Sequence, residues 1–494
     1  MELWEVLSGV DAEILGDSSA EIADLAHDSR KAGPGTLFFC VPGERSDGHD
    51  HAPVAIAGGA AGLVVERRLG LDVPEALVAD TRRAMPVAAA QINGDPSATL
   101  PVLGITGTNG KTTTAFLVRH LLEATGTRTG LLGTVKSVVG GVEADVERTT
   151  PEAIELQATL RAMLDGGDQA CAIEVSSHAL RLGRTDGIHF AVAVFTNLTQ
   201  DHLDFHADME DYYLAKALLF GHGSEHFPEH AVVNLDDEYG RRLAGEIGAA
   251  IGEGLITFSA AGDSGATIRA LDATFDAAGS RFTVEGPFGS YPVATGLPGH
   301  FNVENSLAAL GAVFALGTDV AAAAAALAGA ARVPGRLEPI SEGQDFAVYV
   351  DYAHTPDSLE NVLAAARRLT AGRLICVFGC GGDRDRAKRP LMGAIAARLA
   401  DVPIVTSDNP RSEHPRAILD EIVSGMPDQP QLEVHVDRRE AIGRALRIAE
   451  GGDTVVIAGK GHEQGQEFEG GRKLPFDDRE VARAELARLS GGVA

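Results

Sequence analysis

The stretch that decides the fold runs from Pro101 to Thr113 and reads Pro-Val-Leu-Gly-Ile-Thr-Gly-Thr-Asn-Gly-Lys-Thr-Thr. Its first half is largely apolar, as a buried strand requires. A helical stretch follows at 112–124 and stops before Gly126, where a glycine commonly closes a helix. From Gly104 onward the residues fit the pattern G-x-x-x-x-G-K-[ST] between a strand and a helix, which predicts a phosphate-binding loop and an ATP site.

The residues of this loop have separate roles in holding a nucleotide. Glycines let backbone N–H groups converge on phosphate oxygens, and the helix N-terminus adds a positive field. Lys111 can neutralise the β and γ phosphates, and the Thr112 hydroxyl can hold Mg²⁺. The expected ATP contacts are Gly107, Thr108, Asn109, Gly110, Lys111, Thr112 and Thr113. The alternative is a tight turn with an incidental lysine, and the loop alone does not distinguish a kinase, a hydrolase and a ligase.

Outward from the loop, the chain divides into three blocks that each alternate strand and helix patterns. A length of 494 residues is too great for one core and suggests about three domains. Polar connections near 95–99 and 333–336 separate the blocks. We predict an α/β protein with a smaller N-terminal α/β domain at 1–98, a central P-loop ATPase-like parallel sheet at 99–334 and a C-terminal Rossmann-like domain at 335–494.

Charge and composition argue against several classes of protein. The formal net charge of −28 does not suit a nucleic-acid-binding protein, which would present a basic patch. No stretch approaches the ~20 consecutive apolar residues of a membrane-spanning helix, and the N-terminus lacks the pattern of a signal peptide. Three of the four cysteines lie in apolar runs, so we expect reduced, buried thiols and a cytoplasmic location, and their spacing does not fit a zinc site. The four cysteines are Cys40, Cys171, Cys376 and Cys380.

In the third block, a polar cluster follows each of four predicted strands. The strands are 347–350, 374–378, 404–406 and 454–457. The clusters are Asp351–His354, Gly382–Arg384, Asp408–Arg411 and Gly459–Glu463. Open parallel sheets bind ligands beyond the carboxyl ends of their strands, so we expect these clusters to form one crevice.

Further motifs follow in a fixed order along nearly the whole chain. They are Glu174–His178, Thr196–Asp204, Lys216, Gly299–Asn305, Gly335-Arg336 and Asp351–Pro356. With the phosphate loop, this set resembles the Mur ligase family, which builds the peptide of bacterial cell-wall precursors. The resemblance implies three α/β domains that bind a nucleotide sugar, ATP and an amino acid. It also implies an ATP-dependent amide ligase, in which a carboxylate is phosphorylated and an amine attacks the acyl phosphate.

The resemblance assigns catalytic and metal-binding roles beyond the loop. It implies catalysis by Lys111, Glu174, His202 and Lys216. It also implies one Mg²⁺ at Thr112 and a second held by Glu174 and His202, with carbamylated Lys216 helping to fix the metal. Cations are needed because two anions, a carboxylate and the γ-phosphate, must come together. The implied additional ATP contacts are Asn302, Asn305, Arg336 and Asp351. By local sequence alone, His202 also fits a packed core histidine, and Lys216 fits an ordinary helix lysine.

For the nucleotide-sugar substrate, the resemblance implies contacts from hydroxyl and charged side chains. They are Ser29, Glu44, Arg45, Ser46, Thr149, Thr150, Ser176 and Arg184. Hydroxyls and a guanidinium suit pyrophosphate and carboxylate oxygens. Two departures from a familiar relative stand out: Leu182 replaces a glutamine and cannot donate a hydrogen bond, and the tripeptide 44–46 differs.

The most discriminating stretch is Asp408–Arg411, which resembles the motif of family members that add meso-diaminopimelate rather than L-lysine. Diaminopimelate has a distal carboxylate that lysine lacks, and an arginine can form a bidentate pair with it. The implied contacts are Arg384, Asp408, Asn409, Pro410, Arg411, Gly459 and Glu463.

Three other interpretations of the sequence remain open at this point. One is a different amide ligase, such as folylpolyglutamate synthetase; another is a phosphate-loop kinase or nucleoside triphosphatase; the third is a catalytically silent scaffold. The partners implied by the resemblance are small molecules: the UDP-linked dipeptide, meso-diaminopimelate and ATP. We expect a monomer without nucleic acid or membrane insertion.

Overall fold

The computed structural model describes residues 1–43, 46–146, 148–223, 227–427 and 429–491. Its strands form three sheets that follow one another along the chain, and a two-stranded ribbon near the C-terminus. The three sheets take their strands from 12–78, 102–295 and 338–458. This architecture confirms the predicted α/β class, and the domain boundaries at 98/99 and 334/335 stay predictions.

The N-terminal unit contains a five-stranded sheet. Its elements are α1 (Leu3–Val6), β1 (Ala12–Leu15), β2 (Asp24–Ala26), β3 (Thr36–Phe39), α2 (Ala52–Gly58), β4 (Ala60–Val65), β5 (Glu75–Val78) and α3 (Thr81–Ile92). The strand order is β1-β5-β4-β3-β2, with β1 antiparallel to β5 and the other pairs parallel. Asp80 caps α3 by accepting from the backbone N–H groups of Arg82 and Arg83.

The central unit holds the largest sheet. Its elements are β6 (Val102–Thr106), α4 (Lys111–Ala124), β7 (Thr129–Leu132), β8 (Ser137–Val139), β9 (Val142–Ala144), α5 (Ala153–Asp165), β10 (Ala170–Glu174), α6 (Ser177–Arg181), β11 (Phe190–Phe195), α7 (Met209–Ala217), β12 (His230–Asn234), α8 (Glu238–Ile251), β13 (Leu255–Ser259), β14 (Ile268–Asp276), β15 (Gly279–Gly286), β16 (Gly289–Thr295), α9 (His300–Ala315) and α10 (Val320–Ala326). Its order is β16-β15-β14-β13-β12-β11-β6-β10-β7-β8-β9. The strands from β14 to β7 in this order are parallel, and the hairpins at both edges are antiparallel.

Burial of the central strands explains why polar residues at their ends matter. Strands β6 and β10 are buried at every position, because helices cover both faces of the parallel sheet. A parallel sheet brings the carboxyl ends of its strands to one edge. The phosphate loop follows β6 there, and Glu174 is the last residue of β10.

The C-terminal unit contains an open sheet of six strands. Its elements are β17 (Glu338–Pro339), β18 (Ala347–Asp351), α11 (Pro356–Leu369), β19 (Leu374–Phe378), α12 (Lys388–Leu399), β20 (Val402–Thr406), α13 (Pro415–Val423), β21 (Glu433–His435), α14 (Arg438–Ile448), β22 (Thr454–Ala458), β23 (Gly465–Phe468), β24 (Arg472–Pro475) and α15 (Asp478–Gly491). The order is β17-β18-β22-β19-β20-β21, parallel except for β17. Within the described residues, no helix combines the length and hydropathy needed to span a membrane.

Candidate active site

A cleft of about 1200 Å³ lies between loops of the central and C-terminal units. The central unit contributes the phosphate loop, the end of β10 and the loop around His202. The C-terminal unit contributes the loop after β18, Arg384, Asn409, Arg411 and Glu463. The cleft therefore brings together loops from the carboxyl ends of two parallel sheets.

The phosphate loop has the close backbone packing that its glycines predict. A Cβ atom at Gly107, where φ is 151°, would lie 1.9 Å from Thr196 Oγ1. At Gly110, where φ is 88°, it would lie 2.4 Å from Asn305 Oδ1. Both positions thus require glycine. The Lys111 ammonium folds back over the loop and donates to the Gly107 and Thr108 carbonyls, both at 2.9 Å.

Glu174 is a buried carboxylate held by neutral donors. Its side chain accepts hydrogen bonds from the Thr112 hydroxyl (2.9 Å), the Thr134 N–H (2.7 Å) and the Thr134 hydroxyl (3.0 Å). The residue is 1% exposed. A buried anion in such a position favours a nearby cation, and Lys111 adds a favourable charge to the same region.

His202 faces the cleft in a backbone conformation unusual for a residue with a side chain. Its φ is 55°, and its Nε2 lies 3.3 Å from Asp201 Oδ2. Burial lowers the pKa of His202 to about 3, so the ring is neutral at physiological pH. A neutral imidazole can donate a lone pair to a metal ion.

Lys216 lies behind the phosphate loop rather than on the cleft wall. Its Nζ donates to the Gly107 carbonyl at 2.8 Å and lies 4.6 Å from the centre of the Tyr212 ring. Burial, with a further contribution from the Lys111 ammonium, holds the pKa of Lys216 well below its ordinary value. The structure therefore favours a neutral amine at this position.

Arg336 connects the C-terminal unit to the central unit, and Asp351 lies beside it in the C-terminal unit. Arg336 Nη2 lies 3.0 Å from the Thr112 hydroxyl oxygen, to which it donates. The Asp351 carboxylate accepts from the backbone N–H groups of Leu337 (2.6 Å) and Ala353 (2.7 Å), which fixes the start of the C-terminal unit. Arg336 and Asp351 both line the cleft.

The helix α9 places two asparagines near the phosphate loop. Asn302 donates to the Pro298 carbonyl at 2.8 Å, and Asn305 donates to Asn302 Oδ1 at 3.2 Å. The Thr114 hydroxyl donates to Asn305 at 3.4 Å. These amides line the cleft while forming a network with the helix that follows the loop.

The predicted diaminopimelate cluster is centred on a buried lysine that sequence reasoning missed. Lys460 is 0% exposed and donates to Asn409 Oδ1 (2.9 Å) and Glu463 Oε2 (2.8 Å), with Asp408 Oδ1 at 3.4 Å. Asn409 in turn donates to Glu463 at 3.0 Å. The signal in the sequence was the position of Lys460 in the Gly459–Glu463 cluster, directly after a predicted buried strand.

Two arginines meet at the other side of this cluster. Arg411, with φ of 51°, donates from Nη1 to the Gly382 carbonyl (2.8 Å) and from Nε to Glu467 (2.9 Å). A Cβ atom at Gly381 would lie 2.9 Å from Arg411 Nη1 and 3.7 Å from Arg384 Cγ, so both side chains border the same glycine. Arg384 also lies 3.8 Å from Asp204 of the central unit.

The residues expected at the dipeptide end of the nucleotide sugar adjoin Glu174. Thr150 donates to the Glu174 carbonyl at 2.8 Å and accepts from the Ser176 N–H at 3.2 Å. Arg184 donates to the Thr150 carbonyl at 3.2 Å and pairs with Glu152 at 2.7 Å. The cleft is lined here by Thr149, Thr150, Ser176 and Arg184, and also by the apolar Leu182.

Several predicted residues lie outside the cleft lining. In the N-terminal unit, Ser29 begins a short 3₁₀ helix, and the Ser46 hydroxyl contacts His51 Nε2 at 2.7 Å. Glu44 and Arg45 lie outside the described residues. The other predicted residues that do not line the cleft are Gly107, Lys216, Asp408, Pro410 and Gly459.

Family models match most of the chain. The model of the Mur ligase family catalytic domain matches residues 21–97, that of the Mur ligase middle domain matches 105–313, and that of the Mur ligase glutamate ligase domain matches 335–461. A relative from Gloeobacter violaceus, named UDP-N-acetylmuramoyl-L-alanyl-D-glutamate--2,6-diaminopimelate ligase, is 50% identical over 99% of this chain and 98% of its own length. This chain belongs to the Mur ligase family. The resemblance read from the motifs is thereby confirmed.

Solved Mur ligase structures agree with this membership. A structure of a UDP-N-acetylmuramoyl-L-alanyl-D-glutamate--2,6-diaminopimelate ligase is 33% identical, covers 99% of both chains and superposes with a TM-score of 0.70. The folylpolyglutamate synthase of Mycobacterium tuberculosis is 20% identical over 83% of this chain and 95% of its own, with a TM-score of 0.60. That second likeness reflects a common fold.

Proposed function

We propose that this Mur ligase joins meso-2,6-diaminopimelate to the D-glutamyl carboxylate of UDP-N-acetylmuramoyl-L-alanyl-D-glutamate, using ATP. The observation that carries the proposal is a single cleft lined both by the phosphate loop and by Asn409, Arg411 and Glu463. Relatives 50% and 33% identical over 99% of the chain are named for this reaction.

The ATP and Mg²⁺ sites are proposed at the phosphate loop. Lys111 would offset charge on the transferred phosphate. One Mg²⁺ would be held by the Thr112 hydroxyl, and a second by the Glu174 carboxylate and the neutral His202 ring. Oxygen and imidazole donors next to a phosphate loop suit divalent cations. Bound Mg²⁺ supplies positive charge that offsets repulsion between the γ-phosphate and the incoming carboxylate. The proposed ATP contacts remain Gly107, Thr108, Asn109, Gly110, Lys111, Thr112, Thr113, Asn302, Asn305, Arg336 and Asp351.

The D-glutamyl carboxylate is proposed to approach from the side of Thr150, Ser176 and Arg184, with Thr149 contacting another group of the UDP-linked dipeptide. One carboxylate oxygen attacks the γ-phosphorus, the bond to the bridging oxygen breaks, and ADP leaves. The neutral amine of diaminopimelate then attacks the acyl carbon; an amide forms, phosphate leaves, and the amine proton passes to solvent. Ser29 and the segment 44–46 would serve the distant nucleotide end of the substrate.

The amino-acid specificity is proposed to come from opposite charges at two ends of one cluster. Arg411 and Arg384 would pair with the distal carboxylate, which lysine lacks. Glu463 and the Gly459 carbonyl would accept from the distal ammonium. Lys460 holds Asn409 and Glu463 in place at 2.9 and 2.8 Å, so these acceptors need little rearrangement. Asp408 and Pro410 would shape this cluster from behind.

We further propose that Lys216 is carbamylated by CO₂. The neutral amine that burial favours is the form that attacks the carbon of CO₂, forming an N–C bond with release of a proton. The product is an anion beside the phosphate loop, where it would help to fix Mg²⁺. The remaining proposals are a monomer and, because the four cysteines are free and buried, a reducing cytoplasmic location.

The test of the function is an amino-acid panel supplied with ATP and the UDP-linked dipeptide, with ADP and tripeptide product measured together. Product is expected with meso-diaminopimelate and not with L-lysine. Efficient use of L-lysine would contradict the specificity. ADP release without the dipeptide or the amino acid would instead indicate a nucleoside triphosphatase or kinase.

A further inference from the structure

Thr134 holds both oxygens of the Glu174 carboxylate. Its backbone N–H donates to Oε1 at 2.7 Å, and its hydroxyl donates to Oε2 at 3.0 Å. Thr134 follows β7, and β7 runs parallel to β10 with Leu132 opposite Ile173, so the sheet itself brings Thr134 beside Glu174. This two-point contact fixes both the position and the rotation of the carboxylate.

Gly133 makes this close approach possible. A Cβ atom built at Gly133 would lie 2.2 Å from Glu174 Oε1 and 3.0 Å from its Cδ. Any side chain there would displace the carboxylate from the Thr134 N–H. The Gly133-Thr134 pair is therefore a cradle for a carboxylate, and neither residue is accounted for by the roles already proposed.

The Thr134 hydroxyl also sets the direction of a second hydrogen bond. It lies 3.0 Å from the Thr149 hydroxyl, and a hydroxyl carries one hydrogen. That hydrogen is donated to Glu174, so Thr149 must be the donor to Thr134. Thr149 then faces the cleft with acceptor lone pairs, which suit an N–H or O–H group of a substrate rather than another carboxylate.

We propose that Thr134 is a positioning residue that orients the Glu174 carboxylate and makes the Thr149 hydroxyl a hydrogen-bond acceptor in the cleft. The roles of Glu174 toward a divalent cation and of Thr149 toward the UDP-linked dipeptide rest on the proposed function. The inference about how the two side chains are oriented rests on the hydrogen bonds of Thr134 and does not depend on that function. Thr112 also donates to Glu174 at 2.9 Å, but Thr134 is the residue that contacts both of its oxygens.

The decisive variants are Thr134→Val and Thr134→Ser. Valine keeps the shape and the backbone N–H but removes the hydroxyl, whereas serine keeps the hydroxyl. The matched control is Thr129→Val. Thr129 is a buried residue of β7, and its hydroxyl donates to the nearby Thr127 carbonyl at 2.8 Å. This control reproduces the loss of a threonine hydroxyl on the strand that precedes Thr134, away from Glu174.

The first measurement is the binding of Mn²⁺, as a stand-in for Mg²⁺, to the full-length protein with ADP, followed by electron paramagnetic resonance. Thr134→Val is expected to weaken Mn²⁺ binding on the order of tenfold, the effect of losing a hydrogen bond to a charged group. Thr134→Ser and Thr129→Val are expected to stay within about twofold of wild type. Unchanged affinity in Thr134→Val, or an equal loss in Thr134→Ser, would overturn the proposal.

The second measurement separates this inference from the proposed function. In the ligase assay, Thr134→Val is expected to raise KM for the UDP-linked dipeptide as well as to lower kcat, because Thr149 loses its fixed acceptor direction. An unchanged KM would contradict the Thr149 part. A second outcome is that the wild type makes no tripeptide while Thr134→Val still weakens Mn²⁺ binding. That pair of results would refute the proposed function and leave the orientation of Glu174 by Thr134 intact.

Discussion

The Nζ atom of Lys388 lies 3.4 Å from Oδ1 of Asp201, and each side chain is 6% exposed. Lys388 is the first residue of α12 in the C-terminal unit, and Asp201 immediately precedes His202 in the central unit. His354 Nε2 lies 3.7 Å from the other oxygen of Asp201. A buried ion pair therefore ties the helix that follows Arg384 to the loop that carries a proposed metal ligand.

We expect Lys388→Met to lower the free energy of unfolding by about 3–5 kcal/mol, because it removes the lysine that pairs with the buried Asp201 carboxylate and leaves the histidines His202 and His354 beside it. The double variant Lys388→Met/Asp201→Asn should recover much of this loss, since neither charge then remains. Urea unfolding at neutral pH measures both. The control is Lys31→Met, whose exposed pair with Glu155 spans 3.1 Å and should contribute below about 1 kcal/mol. Additive losses in the double variant would show that the two side chains are not coupled.

The parts of this structure that the sequence predicted are those with a local signal. The phosphate loop needs only a strand, glycines and a helix start in succession, and the structure differs by one residue, with α4 beginning at Lys111. Three of the four strands predicted in the C-terminal block agree with the structure within one residue, as at Leu374–Phe378, and β20 begins two residues before its predicted start. The carboxyl ends of these strands lie at one edge of the sheet because the strands are parallel.

The contacts between distant segments had no local signal. Asp201 and Lys388 are 187 residues apart, and nothing in the Thr196–Asp204 motif that contains Asp201 points to Lys388. Thr134 is one threonine among many, and its two bonds to Glu174 depend on which strands become neighbours. The ligand roles of the predicted site residues, such as Glu174 and His202, stay predictions, because a motif indicates which residues are present but not where each side chain points.

Arg411→Ala should raise KM for diaminopimelate roughly 10–100-fold, because a charge-assisted bidentate pair with the distal carboxylate is lost. Alanine has the same backbone restriction at a φ of 51° as arginine, so the variant tests the side chain. Steady-state kinetics with varied amino acid measures the change.

The matched control for that variant is Arg416→Ala. Arg416 lies on α13, pairs with Asp420 at 2.9 Å and is 55% exposed. Its KM should match the wild type. Equal effects of the two substitutions would indicate a general loss of charge in the C-terminal unit rather than recognition by Arg411.

Removal of CO₂ should lower the activity of the wild type, and added bicarbonate should restore it, because the proposed carbamate of Lys216 dissociates when CO₂ is absent. Lys216→Ala should be almost inactive and should not respond to bicarbonate. Carbon-13 NMR with labelled bicarbonate would detect the carbamate directly. Full activity of Lys216→Ala at every bicarbonate concentration would eliminate this role. Lys136→Ala is a suitable control, since that lysine pairs with Glu143 on the surface hairpin.

Glu304 predicts a pH dependence of stability that can be isolated. Burial, with the nearby carboxylates of Asp236, Asp357 and Asp237, raises the pKa of Glu304 from 4.5 to about 8. Between these values the folded state holds a proton that the unfolded state has released, so the free energy of unfolding should fall as pH rises through this window. The contribution is fully present below about pH 4.5 and lost above about pH 8.

Glu304→Gln should remove this part of the pH dependence, because the amide stays neutral throughout. Urea unfolding gives the free energy of unfolding of both proteins at pH 5 and at pH 8. The difference between the two proteins in how this free energy changes with pH is the contribution of Glu304. The variant should therefore gain stability relative to wild type at pH 8 but not at pH 5. Parallel profiles would mean that Glu304 releases its proton at the same pH in both states. Glu123→Gln, on the partly exposed end of α4, should follow the wild-type profile and controls for the substitution itself.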